Sequence, residues 1–234
     1  FGMSVTRSDC LRRRLTEMSA TGRKTADMGN RSGIINVYKE VGYTSFDVVA
    51  RLRGILKIRK IGHTGTLDPD AVGVLPVCVG RATKVCDLLT DKDKEYETTL
   101  LLGVETDTQD MTGTVLSSGD VTVSEDQVKE VIRSYTGEIS QIPPMYSALK
   151  VNGQKLCDLA RRGVEVERKP RKVTIYGIEI LKMDLPRITM RVRCSRGTYI
   201  RTLCHDIGQA LGCGGAMESL TRTRVAYFRL EDAH

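Results

Sequence analysis

The order of apolar patterns along the chain constrains its fold most strongly. From Gly33 onward, strand-like runs and amphipathic helices are mixed without a repeating β-α unit. The predicted strands lie at residues 33–38, 74–79, 96–102, 172–181, 187–194 and 225–230, and the predicted helices begin near residues 44, 82, 124, 156 and 199. This order favours the α+β class, with a mixed, mostly antiparallel central sheet flanked by helices.

Two of these helices carry capping signals at their N-termini. Thr44 is followed three residues later by Asp47, and Ser124 is followed three residues later by Gln127. A hydroxyl at the cap and a side-chain acceptor three residues on can satisfy two free backbone N–H groups reciprocally. The sequence therefore predicts helices that begin directly after Thr44 and Ser124.

The composition divides the chain into three segments. Residues 1–32 are rich in Arg, Ser, Thr and Met without apolar periodicity, and are predicted to be a disordered tail. Since Met28 precedes the first strand-like run, residues 1–27 are either an over-extended reading of the gene or, less favoured, an organellar transit peptide. Residues 33–230 are predicted to be one ordered domain with an exposed insertion at about 141–172, followed by residues 231–234.

The charge balance favours an anionic partner. The chain has 36 Lys and Arg against 29 Asp and Glu, a formal net charge of +7. Within the insertion, eight basic residues would suit contacts with phosphates, although a charged run is more often only a solvated face. These residues are Lys150, Lys155, Arg161, Arg162, Arg168, Lys169, Arg171 and Lys172.

The cysteine pattern and the apolar runs exclude several classes. The seven cysteines form no CxxC pair and no Cys/His cluster at zinc-ligand spacing, so we predict reduced thiols and no metal site. No apolar run approaches the roughly 20 residues that cross a bilayer, and no signal peptide with an apolar centre opens the chain. We therefore expect a cytoplasmic protein without a membrane partner.

The loop at residues 62–73 is the first candidate for chemistry. Asp68 precedes Pro69, whose fixed φ would hold the carboxylate in a stiff turn. An isolated Asp-Pro pair is more often a plain turn. However, this pair stands close to His63 and Thr64 in a loop with three glycines, a composition that is entropically costly for a mere connector.

A second candidate lies where a predicted strand gives way to a helix. Tyr199 and Arg201 are two residues apart, so in an extended segment both side chains would reach one pocket. Arg201 would keep a carboxylate ionised, and Tyr199 would offer a stacking surface. Spacing alone favours the alternative of an aromatic core residue beside a surface arginine. Tyr96 begins a strand and could be edge packing, and His205 is predicted to be a helix-surface residue.

Together these segments resemble the bacterial TruB-type tRNA pseudouridine synthases from Gly33 to about Phe228. The resemblance rests on six blocks in the family's order. They are Gly33–Val37 with Lys39 and Thr44-Ser45, GHTGTLDPDAVGVLPVCVGRATK from Gly62, Asp93–Tyr96, Thr106–Thr108 with Asp110 and Gly113, QIPPMYSALKVNGQKL from Gln141, and CSRGTYIRTL from Cys194.

The resemblance implies a pseudouridine synthase fold that isomerises uridine to pseudouridine at position 55 in the T loop of tRNA, through base flipping and a covalent Asp adduct. Asp68 matches the catalytic aspartate, which attacks either C1′ of the ribose or C6 of the base. Tyr96 matches the aromatic residue that stacks on the base and takes part in catalysis, and Arg201 matches the arginine paired with the aspartate. His63, Tyr199 and Leu220 match residues that line the base pocket.

The resemblance also implies that the basic insertion clamps the RNA stem and loop, that no cofactor is needed and that the protein is a monomer. Thr221 stands where a second arginine is usual, and Tyr38-Lys39-Glu40 replaces a common Asp-Lys-Pro turn. Because family members usually continue into a small RNA-binding domain, residues 231–234 are expected to be its truncated start, with weaker tRNA affinity. Two alternatives remain open, a tRNA-binding folding factor with secondary catalysis and a related site in another RNA.

Overall fold

The computed structural model describes residues 31–234. The tail predicted at residues 1–32 therefore lies outside the described residues for its first 30 positions. Within residues 31–234, the strands are β1 Gly33–Lys39, β2 Ile61–His63, β3 Val72–Val79, β4 Lys94–Leu102, β5 Val104–Thr106, β6 Val115–Ser118, β7 Gly137–Gln141, β8 Lys150–Val151, β9 Gln154–Lys155, β10 Arg171–Asp184, β11 Arg187–Cys194, β12 Gly215–Val225 and β13 Phe228–Arg229.

One large sheet organises this part of the chain. Its strands run in the order β1-β3-β12-β4-β11-β10-β7, with β2 beside β3 and β13 beside β12. The β12–β3 pair is parallel and the other pairs of this sheet are antiparallel. The predicted α+β class with a mixed, mostly antiparallel sheet is therefore confirmed.

The helices are short and lie at the ends or on the faces of the strands. They are α1 Ser45–Leu56, α2 Cys86–Thr90, α3 Glu125–Ser134, α4 Leu156–Ala160 and α5 Ile200–Ala210, with 3₁₀ turns at Gly80–Val85 and Leu230–Asp232. Both predicted capping boxes are present: the Asp47 amide donates to the Thr44 hydroxyl at 3.1 Å, and the Gln127 amide donates to the Ser124 hydroxyl at 3.3 Å. Among the described residues, no helix is both long and apolar enough to span a membrane.

Two apolar clusters support the sheet. The larger packs α3 and α5 against the central strands, and includes Val128, Ile132, Met190, Leu203 and Ile207. The smaller packs α1 against β1 and β3, and includes Val37, Val49, Leu52, Leu75 and Val77. β3 is buried along nearly its whole length and is paired on both edges, with β1 along one edge and with β2 and β12 one after the other along the opposite edge.

The structure corrects two sequence predictions. The helix predicted at residues 82–89 divides into the 3₁₀ turn Gly80–Val85 and α2, and neither part has a capping side chain. The single strand predicted at residues 225–230 is interrupted: Val225 ends β12, a turn follows at residues 226–227, and β13 holds Phe228–Arg229. Most of β12 escaped prediction because it buries Arg222, and because bulges after Met217 and Arg222 break its alternation.

Candidate active site

The Asp68 loop connects β2 and β3, two adjacent antiparallel strands. The N-terminus of α1 fixes the loop, because the Leu67 amide donates to the Ser45 hydroxyl at 2.9 Å and the Gly42 amide donates to the Pro69 carbonyl at 2.9 Å. The Ala71 amide closes the turn onto the Asp68 carbonyl at 3.1 Å. Hydrogen bonds to Ser45 and Gly42, at and just before the start of α1, thus hold the backbone on both sides of Asp68.

The Asp68 carboxylate faces the side chain of Arg201, in the first turn of α5. Asp68 Oδ2 lies 3.1 Å from Arg201 Nε, and the two side chains are 40% and 6% exposed. The other guanidinium nitrogens of Arg201 donate to the carbonyls of Thr108 at 3.1 Å and Tyr146 at 2.7 Å. With every nitrogen engaged, Arg201 presents one fixed edge to a carboxylate that remains open to a substrate.

A second carboxylate, to which no role was predicted, shares Arg201. Asp110 Oδ2 lies 3.7 Å from Arg201 Nε, and the Asp110 side chain is 11% exposed. Its Oδ1 accepts from the Thr108 hydroxyl at 2.7 Å, and from the Thr112 amide and hydroxyl at 3.0 and 2.6 Å. Asp110 is therefore held tightly and helps to hold Arg201.

Arg201 and Asp110 have opposite effects on the pKa of the Asp68 carboxyl. Burial raises the pKa of the Asp68 carboxyl above its ordinary value, the positive charge of Arg201 lowers it, and the negative charge of Asp110 raises it again. The net direction is upward, and Arg201 is the group that most opposes this rise and favours the ionised carboxylate.

Tyr96 and Leu220 lie on neighbouring central strands beside this loop. Both belong to the larger apolar cluster together with Leu67 and Ala71 of the loop, and they are 7% and 8% exposed. Burial raises the pKa of Tyr96 to about 12, so the hydroxyl is protonated at neutral pH. Since the Tyr96 ring is nearly covered, a base can stack on it only after neighbouring side chains move apart.

His63 and Tyr199 lie at the ends of their elements. His63 ends β2, and its buried Nδ1 has no hydrogen-bond partner among residues 31–234. Burial, and then the charge of Arg222, lower the pKa of His63. Tyr199 caps α5 with an extended backbone, while Arg201 is already helical, so the premise that both stand in one extended segment is wrong.

Two further buried cations touch the loop, and the residue-by-residue sequence argument missed both. Lys39 Nζ donates to the carbonyls of Pro69 and Glu40 at 3.0 Å each, and burial lowers its pKa to about 8. Arg222 donates to the carbonyls of Gly65 and Thr66. Lys39 belongs to the first of the six sequence blocks that resemble the family. Arg222 lies on the same strand as Leu220, so a correct prediction of β12 would have pointed to Arg222.

The basic segment between β7 and β10 divides into paired and free side chains. Arg168 pairs with Glu165 at 2.9 Å, Lys172 with Glu138 at 2.7 Å and Arg161 with Asp158 at 3.7 Å, and Arg162 donates to Gln154 at 2.9 Å. The remaining four are exposed and have no ion pair within the described part of the chain. These are Lys150, Lys155, Lys169 and Arg171.

The described residues contain no group of three or more His, Cys, Asp or Glu side chains that could hold a metal ion. The chemical groups gathered around the loop are the Asp68 and Asp110 carboxylates, the guanidinium groups of Arg201 and Arg222, the Lys39 amine, the protonated Tyr96 phenol and an apolar wall. This set can deliver a nucleophile to a planar, uncharged ring and stabilise charge that develops beside it.

Two family models together match residues 53–234. Residues 53–200 match the N-terminal domain of the TruB family of pseudouridylate synthases, and residues 201–234 match the C-terminal domain of tRNA pseudouridylate synthase B. The match covers Asp68, Tyr96 and Arg201, the residues around which the site is built.

Similar proteins and structures agree with these matches. A protein of Lachnoclostridium phytofermentans named tRNA pseudouridine synthase B is 65% identical over 209 residues, which are 86% of this chain and 68% of that protein. Its counterpart in Clostridium acetobutylicum is 54% identical over 196 residues, or 84% and 68% of the two chains.

Among solved structures, a chain of a Cbf5-Nop10-Gar1 complex is 38% identical with a TM-score of 0.67, and the alignment covers 84% of this chain and 50% of that one. A chain of an H/ACA RNP bound to a substrate RNA containing 2′-deoxyuridine is 35% identical with a TM-score of 0.63, covering 84% and 48%. This chain thus spans about half the length of these solved relatives.

Proposed function

Because the chain belongs to the TruB family of pseudouridylate synthases, we propose that it converts uridine to pseudouridine at position 55 in the T loop of tRNA. Relatives that carry the name tRNA pseudouridine synthase B support tRNA as the substrate. The observation that carries the proposal is the Asp68 carboxylate, held 3.1 Å from the buried Arg201 on a loop that packs into the apolar cluster of Tyr96 and Leu220.

The target base has to leave its stack before it can reach this carboxylate. Flipping costs a few kcal/mol, which stacking and contacts to phosphates offset. Leu220 and Tyr96 provide the apolar surface beside Asp68, and the family resemblance adds His63 and Tyr199 to the residues that meet the base. The exposed cations Lys150, Lys155 and Lys169 lie between β7 and β10 and Arg171 begins β10, and together they clamp the backbone of the stem and loop.

The reaction exchanges one bond to the ribose for another. Asp68 attacks either C1′ of the ribose or C6 of the base, the N1–C1′ bond breaks, the uracil turns and C5 joins C1′. The bond to Asp68 then breaks, and the proton lost from C5 is balanced by one gained at N1. Arg201 keeps Asp68 ionised for the attack. Since no atoms are gained and nothing is oxidised, the isomerisation needs no cofactor. With its pKa near 12, Tyr96 is protonated, so it serves first as a stacking surface.

Site-resolved mapping tests the proposal. A tRNA transcript without modifications is incubated with the protein, and pseudouridine is mapped chemically at every uridine, with a transcript carrying cytidine at position 55 as the matched control. We expect pseudouridine at position 55 and none in the control. Absence of product at position 55 would contradict the proposed function, and product only at other uridines would reassign the substrate.

A further inference from the structure

Arg222 is a buried cation that neither the sequence argument nor the proposed reaction uses. Its residue is 1% exposed, and no ion pair joins it to a carboxylate among residues 31–234. Removing a guanidinium from water is costly, and an apolar residue of similar size is often neutral or stabilising at such a place. The cost indicates that this side chain does more than fill space.

The bonds of Arg222 converge on the catalytic loop. Its Nε donates to the Val74 carbonyl at 2.8 Å, and its two terminal nitrogens donate to the carbonyls of Thr66 at 3.3 Å and Gly65 at 3.2 Å. Gly65 and Thr66 directly precede Leu67 and Asp68. One rigid guanidinium therefore ties the central strand β12 to the start of β3 and to the backbone that carries the aspartate.

The same side chain also reaches Tyr96. Tyr96 and Arg222 are register partners across β4 and β12, and the charge of the guanidinium lowers the pKa of the Tyr96 hydroxyl against the effect of burial. The aromatic ring and the loop that carries Asp68 thus both lie beside one guanidinium. Arg222 does not contact Asp68, so any effect on the reaction has to pass through the loop or through Tyr96.

We propose that Arg222 is the positioning residue of this site: its guanidinium fixes the Gly65-Thr66 backbone and the Tyr96 ring in one arrangement, which sets Asp68 against Arg201. This inference rests on the proposed function. It goes beyond the proposed function by assigning a role to a residue in the centre of the sheet that makes its bonds to the loop backbone.

Three variants test the role. Arg222→Met removes the charge and all donors, and Arg222→Lys keeps the charge but loses the planar guanidinium with its several donors. Arg224→Met is the control, since Arg224 lies on the same strand and, within the described part of the chain, donates to the nearby Ala226 carbonyl alone. Single-turnover pseudouridine formation and the dissociation constant for tRNA are measured separately. Unfolding in urea shows which variants are folded.

We expect Arg222→Met to slow the single-turnover rate about 100-fold, as for a misplacement of about 1 Å at the reacting groups. The tRNA dissociation constant should stay unchanged, because Arg222 is buried away from solvent. Arg222→Lys should fall between this variant and the wild type, and Arg224→Met should match the wild type. In a Tyr96→Phe background, the effect of Arg222→Met should be smaller, since one of its targets has already been removed.

Rates of Arg222→Lys and Arg222→Met equal to the wild-type rate would overturn the inference, as would a loss that appears only in tRNA binding. If Arg222→Met does not fold, the single-turnover rate of folded Arg222→Lys tests the inference, because that rate must still be lower than the wild-type rate.

A second measurement needs no RNA. Amide hydrogen exchange at Leu67 and Ala71 should accelerate in the Arg222 variants while exchange in α3 stays unchanged. Exchange at Leu67 and Ala71 as slow as in the wild type would also overturn the inference. An inactive wild type would instead contradict the proposed function, and the exchange measurement would then decide the role of Arg222 alone.

Discussion

Asp110→Asn perturbs the charge network behind Asp68 with minimal change in shape. Asp110 Oδ2 lies 3.7 Å from Arg201 Nε, and its residue is 8% exposed. An amide keeps one oxygen for the Thr112 amide bond, but it places a neutral group beside the guanidinium. Arg201 is then left with Asp68 as its one carboxylate partner among the described residues.

The size of the effect follows from this partial loss. Leaving a buried charge wholly unpaired costs about 3–5 kcal/mol, but Arg201 keeps its shorter contact with Asp68 and two carbonyl bonds. The loss should therefore be near that of one charged hydrogen bond, about 2 kcal/mol in the free energy of unfolding. The same amount lost from the transition state would slow the reaction about 30-fold.

The pH dependence separates this effect from general damage. Asp110 raises the pKa of Asp68, so removing its charge lowers that pKa. Because the reaction needs ionised Asp68, the acid limb of the single-turnover rate should shift to lower pH although the plateau falls. Urea unfolding and a pH–rate profile measure the two effects. Unchanged unfolding together with an acid limb at the wild-type position, or one shifted upward, would refute the reasoning.

Two further predictions concern the buried lysine and the basic segment. The pKa of Lys39 is lowered from 10.5 to about 8, so between these pH values the unfolded chain binds more protons than the folded chain, and folding stability rises with pH. Lys39→Met should remove this part of the dependence of stability on pH, measured by urea unfolding at pH 8 and pH 10. An unchanged dependence on pH would contradict the prediction. The double variant Lys169→Ala with Arg171→Ala should weaken tRNA binding and reduce by about 2 the slope of the logarithm of the binding constant against the logarithm of the salt concentration. Arg162→Ala should not have this effect, because the Arg162 guanidinium is bound to Gln154. Equal slopes for both variants would contradict the proposed clamp.

The sequence predicted the elements whose chemistry is local. The caps at Thr44 and Ser124 are confirmed because a hydroxyl and an acceptor three residues later specify a helix start without outside help. The family assignment from six blocks is confirmed by the matches to related proteins. The α+β class followed from the mixed order of patterns.

Features that depend on distant partners were missed. β12 buries Arg222, which is tolerable only because carbonyls of the Asp68 loop and of β3 accept its hydrogen bonds. Asp110 has no local mark of function, since its role arises from Arg201, 91 positions later in the chain. The prediction that Tyr199 and Arg201 share one extended segment is wrong because the helix α5 already begins at Ile200, between them.

The central claim is that the Asp68 carboxylate performs the isomerisation. The most direct test compares wild type, Asp68→Asn and Asp70→Asn in single-turnover reactions on tRNA with uridine at position 55. Asp70 is the matched control, because it is an exposed carboxylate two residues further along the same loop. We predict no pseudouridine above background with Asp68→Asn and nearly wild-type formation with Asp70→Asn, all three proteins being folded. Pseudouridine formed by Asp68→Asn at the wild-type rate would contradict the claim.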